Sequence, residues 1–169
     1  MRLPGRFDDA MMAPPDDRAA VDPALLALLR AWCEGGAFPA LTEPLRVATI
    51  APHAGLDGAA CALDGTHDLA RLGRWRGLQW RLQILWQEQV AGRSAQPRTP
   101  WDCGWWREGP LASAKAFRPR RATLLMLREP DPTVAAALLS TLRASSAAYT
   151  QPVRVLVVSA AAMAGIARL

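Results

Sequence analysis

The sequence predicts a single α/β domain with a mostly parallel sheet of about three to five strands. Three observations predict it. Two apolar runs, Arg121–Arg128 (RATLLMLR) and Pro152–Ser159 (PVRVLVVS), lie in the last third of the chain. Between them, Asp131-Pro132 opens an amphipathic helical segment, so strand, helix and strand succeed one another over short loops, as a parallel βαβ unit requires. A third apolar run, Leu45–Ile50 (LRVATI), follows another segment with the same start signal.

The elements follow in chain order. Residues 1–21 read as a flexible acidic arm, because five aspartates, three arginines and three prolines in residues 1–22 leave little to bury. Asp22-Pro23 is an N-cap with proline at the first helical position, and the helix runs from Ala24 to about Cys33 with Leu25, Leu26, Leu28 and Leu29 as its apolar side. Gly35-Gly36 ends it. Leu45–Ile50, bounded by Pro44 and Pro52, is a strand, and Ala59–Leu63 is expected to be a second one. Thr66 is placed to cap a long helix from His67 to about Val90, whose residues Leu72, Trp75, Leu78, Leu82, Leu85, Trp86 and Val90 form one apolar stripe. Trp80 and Ile84 fall on its other side, which predicts a helix covered on two faces.

From about residue 91 to 121 the chain carries four prolines and three glycines, read as a Pro/Trp/Arg-rich insertion with a short hairpin around Trp101–Glu108. Arg121–Arg128 is a strand, Thr133 to about Ser146 a helix with Val134, Leu138 and Leu142 inward, and Pro152–Ser159 a buried parallel strand. Ser159 is expected to cap a final short helix, Ala160–Arg168. Residues 22–169 thus make one domain.

Composition excludes several classes. With 51% apolar and 21% charged residues, the chain is neither disordered nor fibrous. The longest uncharged run, Val155–Ala167, has thirteen residues, too short to span a bilayer. The first 22 residues lack the apolar stretch of a signal peptide. Three cysteines, Cys33, Cys61 and Cys103, without CxxC spacing fit reduced thiols, and a cytoplasmic location is expected. Lys115 is the sole lysine beside nineteen arginines, a bias that a GC-rich genome of bacterial type accounts for.

Chemical motifs are sparse. The turn Glu129–Thr133 holds two carboxylates and no glycine, so it lacks the phosphate cradle that strand-to-helix turns often carry. His53, Cys61, His67 and Cys103, with Asp57, Asp64 and Asp68, have none of the pairwise spacings of a zinc module, and no metal or cofactor is expected. A thiol enzyme would use Cys103 with His53 or His67, although nothing in the spacing favours that dyad.

Charge and indole content are more informative. Residues 1–45 carry a net charge of −3 and residues 46–169 of +8. Between Arg71 and Arg128 lie eleven arginines and Lys115 against three acids, together with six of the seven tryptophans. Arginines among indoles suit phosphate contact and base stacking, and equally the anchors of a protein interface. The plainer account keeps the tryptophans in the core and the arginines in solvent. The leading expectation is a non-catalytic accessory or adaptor subunit of a larger cytoplasmic assembly that contacts nucleic acid. Its contact residues would be Arg74, Arg76, Trp80 and Arg81 on the long helix, then Trp101, Trp105, Trp106, Arg107, Lys115, Arg118, Arg120 and Arg121. A purely protein-binding subunit docking through the Trp-rich face is the alternative, and the Cys103 enzyme the second. The acidic arm is expected to fold over the basic face and screen it.

Overall fold

The computed structural model describes residues 11–37, 40–64, 101–107, 111–119, 121–160 and 165–169. The elements are β1 (Met12–Ala13), α1 (Pro23–Glu34), β2 (Leu45–Ile50), α2 (Leu56–Asp64), β3 (Asp102–Trp106), α3 (Leu111–Ala116), β4 (Thr123–Arg128), α4 (Pro132–Ser145), β5 (Val153–Val158) and β6 (Ala167–Arg168). The class is α/β, and the sheet has six strands in the order β1-β3-β4-β5-β2-β6. That is more than the three to five expected, because the two-residue edge strands β1 and β6 leave no pattern in the sequence. All neighbours pair in parallel except β1 with β3.

Both Asp-Pro signals act as their chemistry dictates. The Asp22 carboxylate accepts from the Ala24 and Leu25 N–H groups at 2.9 and 3.2 Å. Asp131 accepts from Thr133 and Val134 at 2.8 and 3.2 Å. Each satisfies two N–H groups that a helix start leaves without a partner, while proline supplies the helical φ.

The strands alternate between two cores, one on each sheet face. Leu124, Met126, Leu156, Val158, Ala48 and Ile50 pack with α1 and α2. Leu125, Leu127, Val153, Val155 and, at the margin, Leu45 and Val47 pack with α3, α4 and Tyr149. The result is a helix–sheet–helix arrangement of three layers. Among the described residues no helix is long and apolar enough to cross a membrane.

Four expectations need correction. Ala59–Leu63 is not a strand but the body of α2, in which Leu56, Ala59, Ala60 and Leu63 share one buried face at helical spacing. The described part of the expected arm is docked: Met11 and Met12 are buried, and Met12–Ala13 pairs with Trp106 and Trp105. Around Trp101–Glu108 there is a strand rather than a hairpin, since β3 adds to β4 in parallel. The expected last helix ends in β6, whose Ala167 and Arg168 pair with Ala48 and Thr49. The long helix expected over residues 67–90 lies outside the described residues.

Candidate functional site

In a parallel sheet covered on both faces, ligand sites form beyond the carboxyl ends of the strands, where successive connections leave for opposite faces. Here α2 follows β2 onto one face and α4 follows β4 onto the other, with β5 between those two strands. The loops diverge above Val158, and two clefts of about 400 and 410 Å³ open there. Pro52, His53, Leu56, Asp57, Glu129 and Val158 line one, and Ala13, Trp106, Leu127, Pro130, Asp131 and Val134 the other. Trp105 and Arg128 line both.

Asp57 organises the centre. Its Oδ1 accepts from the Trp105 indole N–H at 2.6 Å and from the Asp16 backbone N–H at 3.3 Å, while its Oδ2 lies 3.7 Å from the Arg128 guanidinium. Arg128 in turn sits 4.3 Å over the Trp105 ring. His53 Nδ1 accepts from the Gly55 N–H at 3.1 Å, and its Nε2 lies 3.6 Å from Asp22. Glu129 holds a left-handed backbone (φ 40°), an uncommon conformation for a residue with a side chain, and its N–H bonds the Val158 carbonyl at 2.9 Å.

Two glycines let the N-terminal segment close over this end. A Cβ on Gly58 would run into the Ala20 carbonyl, and one on Gly104 would lie 2.8 Å from Met12 Cβ and 2.9 Å from the Ala13 oxygen. Close approach is the reason both positions lack a side chain.

No family model, curated protein or solved structure matches the chain. The geometry alone therefore carries the functional argument.

The expected contact residues do not form one surface. Trp101 is 0% exposed, packed beneath α2 with its backbone N–H on the Leu63 carbonyl at 3.2 Å, so its ring belongs to the core. Trp105, Trp106 and Arg107 lie at the carboxyl end of β3, among Asp16, Asp57 and Asp131. Lys115, Arg118 and Arg121 lie before β4, at the opposite end of the sheet, one strand length or about 16 Å away. Arg74, Arg76, Trp80, Arg81 and Arg120 lie outside the described residues.

The two ends carry opposite charge. At the carboxyl end stand Asp16, Asp22, Asp57, Glu129 and Asp131 against Arg107, Arg168 and Arg128, the last engaged by Asp57. At the amino end, Arg30 and Arg46 are ion-paired with Glu34 and Glu43. Exposed Lys115 and Arg118, and Arg143 in the last turn of α4, form no ion pair with a described residue. Arg118 instead donates to the carbonyls of Lys115 and Phe117 at 3.0 and 2.7 Å. Helix polarity contributes: α1, α2 and α4 start at Asp22, Asp57 and Asp131, and α3 and α4 end at Lys115 and Arg143. Of the expected screening arm, the described Asp16 docks at the carboxyl end, away from Lys115 and Arg118.

The Cys103–His53 dyad is not assembled. Cys103 is fully buried and pairs across the sheet with Leu124, near the amino end of β4, whereas His53 follows the carboxyl end of β2, three strands away (about 14 Å). His67 lies outside the described residues. Among the described residues no group of three or more His, Cys, Asp or Glu side chains is placed to hold a metal.

Proposed function

We propose that this chain is a non-catalytic accessory subunit of a larger cytoplasmic assembly that contacts nucleic acid with the cationic amino end of its sheet. One observation carries the reading: Lys115, Arg118 and Arg143 stand together at that end and form no ion pair with a described residue. Arg121 also lies before β4, and Asp64 and Trp101, the described residues on either side of 65–100 in the sequence, are at the same end. That segment supplies Arg74, Arg76, Arg81 and the Trp80 indole, and Arg120 adjoins Arg121. Guanidinium and ammonium groups seat phosphates, and an indole offers a stacking face to a base. The C-terminal succession of β4, α4 and β5 acts in this reading as the scaffold that holds Lys115, Arg118 and Arg143 on one side.

The test is binding of a labelled single-stranded oligonucleotide, followed by fluorescence anisotropy across a salt series. Log affinity should fall linearly with log salt, and a Lys115→Ala/Arg118→Ala/Arg143→Ala variant should lose up to about one unit of slope for each phosphate contact removed. No binding, or a slope indifferent to these substitutions, overturns the reading. An association that survives high salt and involves a protein in place of nucleic acid would identify the protein-binding subunit instead.

A further inference from the structure

We propose that the cleft at the carboxyl end of the sheet is a binding site for an organic cation, a guanidinium or ammonium group, seated on Trp105 against Asp57. Arg128 is the internal occupant of that seat. Among the described residues the two clefts share Trp105 and Arg128, so the Arg128 side chain stands between them. It is held lightly: its side chain is 67% exposed, its ion pair is long at 3.7 Å, and among the described residues it also contacts the indole face 4.3 Å away. Turning it into solvent would merge the clefts into one trough floored by Trp105.

The described lining of that trough selects a positive guest. Asp57, Glu129 and Asp131 line it, whereas Arg128 is its only arginine or lysine among the described lining residues. Asp57 is oriented beforehand by the Trp105 and Asp16 N–H groups, both on Oδ1, which leaves Oδ2 directed at the cation. An aromatic face and a fixed carboxylate together are what cation recognition requires. A phosphate would meet three carboxylates there, so this end and the nucleic-acid surface proposed above do not compete.

The probes are methylguanidinium and methylammonium as free cations and a short arginine-containing peptide as the side-chain source. Binding is read from the Trp105 indole N–H resonance in the nitrogen-15 spectrum of the full chain. In the wild type the resonance should move at high probe concentration. Arg128→Ala should bind at least one probe about tenfold more tightly, since an exposed pair and an exposed cation–π contact no longer compete. Asp57→Asn should abolish the response. Binding of the small cations indicates a free ligand, and binding of the peptide alone a basic protein segment. Should Asp57→Asn fail to fold, Trp105→Leu, read by calorimetry with the same probes, replaces it and should also abolish binding. An Arg128→Ala protein that binds neither cation nor peptide, or that responds more strongly to inorganic phosphate, overturns the proposal.

Discussion

Arg154 is 0% exposed and forms no ion pair with a described carboxylate, yet its guanidinium makes four hydrogen bonds. It donates to the main-chain carbonyls of Cys33, Gly35, Glu43 and Val153 at 2.8–3.1 Å. Two of these carbonyls belong to the last turn and cap of α1, where a cation also meets the negative end of the helix. Burial lowers its pKa to about 10, which leaves it charged at neutral pH. Arg154→Met should cost on the order of 3 kcal/mol, because several buried carbonyls lose their donor at once. Arg154→Lys should recover little, since an ammonium cannot span the same fork. Denaturant midpoints measure both. Tyr149, the only tyrosine, has a buried hydroxyl with no hydrogen-bond partner among the described residues. Burial raises its pKa above the ordinary 10.0, while the Arg118 charge pulls the other way. The neutral phenol is therefore favoured in the fold, and this contribution to stability is complete below pH 10 and lost as pH climbs toward the raised value. A tyrosinate absorbance titration should show a midpoint above 10, and Arg118→Ala should move it higher still.

Among the elements, α1, α4, β4 and β5 were legible because their signals are local. A carboxylate before a proline caps a helix wherever it occurs, and an unbroken apolar run fits a strand covered on both sides. The strand expected at Ala59–Leu63 shows the limit of short apolar runs, which do not separate a helix from a strand. The deciding signal was nevertheless present: Leu56, Ala59, Ala60 and Leu63 stand at i, i+3, i+4 and i+7. β1 had no such signal. It exists because Gly104 admits Met12 and Ala13 onto β3, just as Gly58 admits Ala19 and Ala20 onto α2. Gly58→Ala should therefore push residues 16–22 off α2, costing about 1–3 kcal/mol. Limited proteolysis should then cut within residues 14–22, and the denaturant midpoint should fall.

At the scale of the whole molecule, the fold sorts residues that composition treats alike. Trp101, Trp105 and Trp106 are near neighbours in the chain, yet one is core and two flank a cleft. Among the described residues the sheet separates a mainly cationic amino end from a mainly acidic carboxyl end. The sequence by itself determined the α/β class, the capped helices and the central strands, because those rest on interactions within a few residues. It also located the arginine and indole excess. Only the tertiary structure decided which of those residues share a surface, that Arg128 closes over Trp105 and Asp57, and that Cys103 is sealed away from His53. Such juxtapositions depend on strand order and on which face each helix takes. Those are set by packing between residues far apart in the chain, and no local pattern encodes them.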